Sequence, residues 1–298
     1  MGMIEEIGCG KINLALAITG RRDDGYHDID TIFQSIGLHD VIRLEEADEF
    51  LLTCSNPALA CDETNLAYKA YKALLPYRRG PKGVRIHIEK NIPVAAGLAG
   101  GSTDCAAVLR GLNRLWRLGL TTEELCRIGA SIGADVPFCV CGGTMRGRGI
   151  GEVLTPLPPL PARPVLIVHP PVPVYTGKAY SLFDTMPRLQ GVAVDEAAKA
   201  VEAADFEGLE AHMGNTFEEL VIPDVPMIDT CRAMLRRQGL RPLMAGSGPT
   251  VFALVPPSAS AGDIYQAVAA EAKDRGIDVY ISSLVEGNGE PYEENDGI

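Results

Sequence analysis

Between Pro93 and Ala107 the chain reads Pro-Val-Ala-Ala-Gly-Leu-Ala-Gly-Gly-Ser-Thr-Asp-Cys-Ala-Ala, and this stretch constrains the fold more than any other. Gly97, Gly100 and Gly101 lead into two hydroxyls, Ser102 and Thr103, and then into a helical pattern with Val108, Leu112 and Leu115 on one face. Glycine lets a backbone approach a ligand closely, and successive N–H groups then form an anion-binding nest. The positive end of the following helix points at the same spot. A helix cap alone needs one hydroxyl and fewer glycines, so the pattern predicts a phosphate site with Ser102 as the helix cap. No lysine follows Gly101, which excludes a Walker A loop, and Gly-x-x-Gly-Gly does not fit the dinucleotide fingerprint.

Bulk properties narrow the ligand. A net charge of −12 argues against non-specific binding to nucleic acid or to an anionic membrane, because both need excess Lys and Arg. It leaves room for a small anionic substrate held by backbone amides. At 298 residues with a 46% hydrophobic fraction, the chain is long enough for one large domain or two lobes with proper cores. No signal-peptide pattern opens the sequence and no apolar run is long enough to span a bilayer. The eight scattered cysteines form no Cys-x-x-Cys pair, so reduced thiols in a cytoplasmic protein are expected. Cys139 and Cys141 would suit half of a metal site, but a strand-like pattern around them favours core packing.

The proline-rich run from Thr155 to Pro164 is the one clear linker candidate. Before it, residues 38–44 and 84–88 alternate as strands, a helix is expected from Thr64 to about 75, and Thr121-Thr-Glu-Glu124 is a capping box opening a helix that stops at Gly133. After it, helices near 195–212, 225–238 and 261–275 alternate with strands near 165–169, 251–255 and 279–285. The class is α+β.

Other segments have chemical potential. Asp135, in Gly133-Ala-Asp-Val-Pro-Phe138, follows a helix end, where the dipole does nothing for a carboxylate. It is either a turn former or, if buried beside a cation, a proton acceptor for an alcohol. Lys11 and Asn13 alternate with Ile12 and Leu14, so they share a strand face, either a solvated edge or a phosphate-neutralising one. Tyr26 and His27 end the polar loop from Thr19, as loop packing or as a stacking surface for a planar base. Gly246-Ser-Gly-Pro-Thr250 is a second glycine-rich turn before a strand, either a hairpin connection or a second loop closing on the same ligand.

In this order the segments resemble the GHMP kinase superfamily, whose three motifs match Lys11-Ile-Asn13, Pro93 to Ala107 and Gly246 to Thr250. The likeness runs from residue 8 to about 255. It implies a two-lobed fold with an S5-like N-terminal lobe over 1–155 and a ferredoxin-like C-terminal lobe over 156–285, after which the composition of 286–298 reads as an acidic, frayed tail. ATP and Mg²⁺ are the implied cofactors, with Pro93, Gly97, Leu98, Ala99, Gly100, Gly101, Ser102 and Thr103 around the nucleotide and no side chain assigned to the metal. Asp135 is then the general base, and Lys11 the neighbour that keeps it charged and supports the phosphoryl group. Asn13, Tyr26, His27, Thr176, Tyr180, Gly246, Ser247 and Gly248 match substrate contacts. Arg21 to His27, Gly133 to Phe138 and Arg148-Gly-Ile-Gly-Glu152 resemble one branch of this family, and that resemblance implies a cytidine-diphosphate-linked methylerythritol as acceptor, phosphorylated at its 2-hydroxyl on the way to isoprenoids. The expected assembly is a monomer or homodimer. Cys9-Gly10 stand where the family usually has Pro-Ala, and Thr103 where a second serine is commoner, so the packing around Lys11 is the open point.

Overall fold

In a computed structural model that describes residues 3–81, 83–186 and 191–287, two long strands organise the first half of the chain. Strand β1 (Met3–Arg21) and β2 (His27–Glu46) pair antiparallel over nearly their whole length. Gly25, at φ 88°, turns the hairpin, so the polar loop before His27 is its tip. Strands β3 (Leu51–Cys54), β4 (Val84–Glu89), β5 (Thr144–Arg148) and β6 (Val153–Pro156) extend this sheet. The order is β3-β4-β2-β1, with β5 pairing a second stretch of β2 and β6 pairing β5. On the edge away from β1, β2 therefore serves two neighbours, β4 through Val41–Glu46 and β5 through Thr31–Gln34. The second sheet is antiparallel throughout and contains β7 (Pro164–His169), β9 (Leu243–Met244), β10 (Val251–Leu254) and β11 (Asp278–Ser283), in the order β11-β7-β10-β9. The short β8 (Gly214–Asn215) comes from the second half of the chain but pairs parallel with β1 in the first sheet.

Helices α1 (Leu66–Leu74), α2 (Gly100–Leu115), α3 (Thr122–Ala130) and α4 (Val136–Cys141) cover the first sheet. Alternation along β2 and β4 sends Ile42, Leu44, Ile86 and Ile88 into one core, where they meet Val108, Leu109 and Leu112 of α2 and Phe138 of α4. The second sheet packs with α5 (Thr176–Phe183), α8 (Thr216–Val221), α9 (Pro226–Arg237) and α10 (Ala261–Ala272). Helices α6 (Val194–Glu202) and α7 (Phe206–His212) pack into a third cluster, with residues from both sheets. Arg146 of β5 grips Asp30 with two bonds, 2.8 and 2.6 Å, and Asp195 of α6 with a third of 2.6 Å, tying the second half of the chain to the first sheet.

Several expectations change in the three-dimensional structure. The cap of α1 is Asn65, whose side chain accepts from the Ala67 amide, while Thr64 bonds Asp62 instead. Helix α2 starts at Gly100, because Ala99 takes a left-handed conformation (φ 59°) and ends the loop three residues before Ser102. Cys139 and Cys141 lie on α4, not on a strand, because a proline in the first helical turn loses no hydrogen bond and lets the helix form. The expected 195–212 helix is broken at Ala204 (φ 51°), and Asp205 caps the second piece. From residue 288 the acidic tail lies outside the described residues.

The capping box of α3 is present, with Thr121 Oγ1 accepting from the Glu124 amide at 3.2 Å and Glu124 Oε2 accepting from the Thr121 amide at 2.8 Å. Thr121→Ala should lower stability by about 1 kcal/mol in urea unfolding while leaving turnover unchanged, since α3 lines no part of the main cleft described below.

Candidate active site

A cleft of about 770 Å³ opens between the two sheets. Its walls hold Lys11, Asn13, Tyr26, His27, Gly97, Ala99, Gly100, Gly101, Ser102, Asp135, Thr176, Tyr180, Gly246 and Ser247, residues scattered over most of the chain. Four of the expected site residues lie off this wall. Pro93 lines an adjoining depression of about 340 Å³ that shares Ala95, Gly100 and Gly101 with the cleft. Leu98 is buried, and its carbonyl accepts from the Lys11 amide at 3.1 Å. Thr103 is buried too, and its hydroxyl donates to the Cys9 carbonyl at 2.7 Å. Gly248, at φ 87°, lies within the second loop but off the cleft wall, where a Cβ would press on Met244 Sδ.

The loop from 93 to 101 is shaped by backbone that side chains resist. Ala95 and Ala99 both take left-handed φ, 55° and 59°, a strain that costs about 1–3 kcal/mol each and is held by the surrounding packing. Helix α2 begins with no side-chain cap, so its first-turn amides, which have no intrahelical partner, face the cleft where Gly100, Gly101 and Ser102 line it. Gly97 (φ 76°) passes so close to the second loop that a Cβ would collide with the Ala245 carbonyl oxygen. Gly246 (φ 54°) returns the approach, with a Cβ position 3.0 Å from the Gly97 carbonyl and 3.2 Å from Lys11 Nζ. The second loop is a β9–β10 hairpin connection and a wall of the cleft at once. Asn215 holds it from behind, its Nδ2 donating to the carbonyls of Met244 and Gly246, both at 2.7 Å.

Lys11 and Asn13 enter the cleft from β1 between two register shifts, at Cys9/Lys11 and Asn13/Ala15. Such bulges twist a strand and re-aim its side chains. Lys11 Nζ donates to Asn13 Oδ1 at 2.9 Å, sits 5.6 Å from the Phe33 ring centre and 3.8 Å from Asp135 Oδ2. The lysine side chain is 5% exposed and the aspartate 34%, so the cation is buried and the carboxylate reaches the cleft. Asp135 stands at the N-terminal end of α4, the reverse of the helix end expected from the sequence, and its side chain makes no capping bond. The carboxylate is therefore both free to act and near a positive helix end.

The opposite wall is aromatic. His27 stacks on Tyr180 with ring centres 4.8 Å apart and planes 17° off parallel, while Phe183 meets it edge-on at 5.6 Å. Tyr26 is 61% exposed at the rim. Burial, with the nearby negative charge of Asp135, pushes the Tyr180 phenol up to about 12, so it remains a neutral donor at physiological pH. Thr176 and Ser247 share a hydroxyl bond of 2.8 Å across the cleft.

Sequence reading missed the layer under the loop. Lys90 is buried against Asp40 and lies 2.8 Å from Asp104 Oδ2, while Asp40 Oδ1 accepts from the amides of Asn91 and Ile92 at 2.6 and 2.9 Å. Burial alone would lower the Lys90 ammonium, but Asp104 and Asp40 hold it above its ordinary value. Burial pushes the Asp104 carboxyl well up despite the lysine. Lys90 Nζ lies 3.2 Å from the place a Gly100 Cβ would occupy, so this triad is a floor for the glycine-rich loop. Asp104, immediately after Ser102-Thr103, was the one available signal.

The GHMP kinases N terminal domain model matches residues 65–143, and the GHMP kinases C terminal model matches residues 197–274. A 4-diphosphocytidyl-2-C-methyl-D-erythritol kinase from Clostridium botulinum (strain Alaska E43 / Type E3) is 38% identical over 92% of this chain and 98% of its own. One from Caldicellulosiruptor bescii is 40% identical over 92% and 94%. A crystal structure of 4-(cytidine 5'-diphospho)-2C-methyl-D-erythritol kinase superposes with a TM-score of 0.78 at 32% identity, covering 96% of this chain and all of that one. A homoserine kinase from Cytophaga hutchinsonii superposes almost as well, TM-score 0.77, but at 20% identity, which reports the shared fold alone.

Two outcomes follow from this packing. Gly97→Ala forces a Cβ into the Ala245 carbonyl at a left-handed φ, a conformation that alone costs about 1–2 kcal/mol; it should lower the melting temperature and raise KM for ATP. Lys90→Met leaves two buried carboxylates without their cation and should destabilise the protein by about 3–5 kcal/mol in urea unfolding.

Proposed function

The chain belongs to the GHMP kinase family and, within it, to the 4-diphosphocytidyl-2-C-methyl-D-erythritol kinases of the non-mevalonate isoprenoid pathway; we propose that its cleft moves the γ-phosphoryl group of ATP onto the 2-hydroxyl of the cytidine-diphosphate-linked methylerythritol. The observation that carries this assignment is the placement of Asp135 and buried Lys11 in one cavity, between a backbone phosphate cradle and an aromatic wall. Residues 1–155 supply the cradle and 156–285 close over it with Thr176, Tyr180 and the second glycine loop.

The nucleotide phosphates lie against the free amides of Gly100, Gly101 and Ser102, and the nucleoside extends into the adjoining depression beside Pro93, Thr64 and Asn65. The acceptor lies along the other arm of the cleft, its base against Tyr26, His27 and Tyr180 and its polar groups near Asn13, Thr176 and Ser247. Mg²⁺ arrives with ATP. Phosphate and water would supply most of its ligands, as Mg²⁺ dehydrates reluctantly. Ser102 is an oxygen donor on the wall beside the cradle that would suit such a hard cation, whose charge would offset that of the phosphates. Eight cysteines without a disulfide among them support a reducing, cytoplasmic setting.

Phosphoryl transfer passes through a loose transition state, so positioning and charge carry the catalysis. Asp135 orients the hydroxyl and accepts its proton as the oxygen bonds to the γ-phosphorus and the bond to the β,γ-bridging oxygen breaks, releasing ADP. Lys11 lies beside the carboxylate and offsets charge on the phosphoryl oxygens. A positioned base contributes about 10²–10⁴-fold, so Asp135→Asn should lower kcat by that factor while KM for ATP changes little. An assay of ATP consumption across cytidine-diphosphate-linked methylerythritol, mevalonate, homoserine and galactose should show turnover with the first alone. Turnover of one of the other three in its place would overturn the acceptor assignment.

A further inference from the structure

His27 enters the cleft wall from the first residue of β2, 5% exposed, with its ring stacked on Tyr180. Its Nε2 lies 2.8 Å from Asp184 Oδ1. The other carboxylate oxygen of Asp184 meets Arg21 Nη1 at 3.3 Å. Asp184 is the residue that ends α5, where the negative helix end disfavours a carboxylate. A partner 60% exposed, as Arg21 is, contributes little by itself. The bond that gives Asp184 its place is the one to the buried imidazole.

A carboxylate only accepts hydrogen bonds, so the proton of the neutral His27 ring sits on Nε2. The remaining lone pair is then on Nδ1, which makes no hydrogen bond among the described residues. Turning the ring to offer Nε2 instead would break its 2.8 Å bond to Asp184, so that bond holds the ring edge in place. The geometry points to Asp184 as a positioning residue that holds His27 as an Nδ1 acceptor and so sets the base preference of the acceptor site. An Nδ1 lone pair accepts from the exocyclic amino group of cytosine and repels the carbonyl oxygen that uracil carries at the same place. This role rests on the proposed reading that His27 lies against the base of the acceptor; it adds the group that decides which base is taken.

Arg21 makes the test sharp. In Asp184→Asn the carboxamide oxygen turns to the guanidinium, and the Nδ2 hydrogens then face the imidazole. Nε2 becomes the acceptor and the proton moves to Nδ1, so the ring offers a donor where it had offered a lone pair. Asp184→Ala removes the partner altogether and leaves the tautomer unset.

The experiment compares ring ¹⁵N spectra of the ligand-free proteins with kcat and KM for cytidine-diphosphate-linked methylerythritol and its uridine counterpart. Among the five histidines, the His27 signals are identified by their loss in His27→Ala. Wild type should show Nε2–H at His27, and Asp184→Asn should show Nδ1–H. The ratio of kcat/KM for the cytidine over the uridine substrate should fall at least about tenfold in Asp184→Asn, through KM more than kcat, and by less in Asp184→Ala. A merely structural role would lower both substrates together and leave the ratio unchanged. An unchanged tautomer, or an unchanged ratio in both variants, overturns the role of Asp184. If His27→Ala itself leaves KM for the cytidine substrate unaltered, the placement of the base against His27 falls first, and the role of Asp184 with it.

Discussion

A single buried carboxamide ties the chemistry to the fold. Asn13 Oδ1 accepts from Lys11 Nζ at 2.9 Å and from the Gly246 amide at 3.2 Å, while its Nδ2 donates to Thr31 Oγ1 at 2.8 Å, which donates onward to the Ala15 carbonyl at 2.7 Å. The residue is essentially inaccessible, so every polar atom left unpaired there would carry a full desolvation cost. This network fixes the lysine, the second glycine loop and the β1–β2 pairing relative to one another. The near-contact of Gly97 with Ala245 and Gly246 then sets how far the first loop stands from the second. Position in this cleft is thus defined mostly by neutral groups at close range.

That arrangement explains what was legible beforehand. Lys11 and Asn13 lie two residues apart on a strand, and the glycine cluster is local, so both announced themselves through short-range pattern. The capping box of α3 did the same. Asp135 reads in the sequence as either a turn former or a proton acceptor and is set at the wrong helix end, because Val-Pro-Phe reads as a turn until proline is recognised as a first-turn residue of α4. Ser102 was given the role of a cap that the left-handed Ala99 removes from it. In each case the backbone of one residue decided the matter, and side-chain preference had no voice in it.

The long-range partners were not legible for a different reason. Lys90 finds Asp40 and Asp104 from positions 50 and 14 residues away, and His27 finds Asp184 across 157. No periodicity encodes such pairs; they exist only once β2, β4 and α2 share a core, or once α5 is laid against the hairpin tip. The resemblance to GHMP kinases supplied the residues expected to touch ligands and was silent on those that hold them in place. Arg146, which joins Asp30 and Asp195 across the two halves, belongs to the same group.

Charge presents the remaining problem, because a chain with a net charge of −12 has to admit two polyanions. Each lysine or arginine on the walls of the cleft and its adjoining depression already faces a carboxylate: Lys11 meets Asp135, Arg21 meets Asp184, and Lys90 lies between Asp40 and Asp104. None offers a wholly uncompensated positive charge to a phosphate, so the offset proposed for Lys11 is shared with Asp135 and is only partial. What remains is the row of amide N–H groups at the start of α2, whose dipoles attract an anion without adding net charge to the protein. Such a cradle is selective for geometry and weak in long-range attraction. It suits a triphosphate that arrives with its own cation, and under the proposed reading it leaves the choice of acceptor to the hydrogen bonds of the aromatic wall.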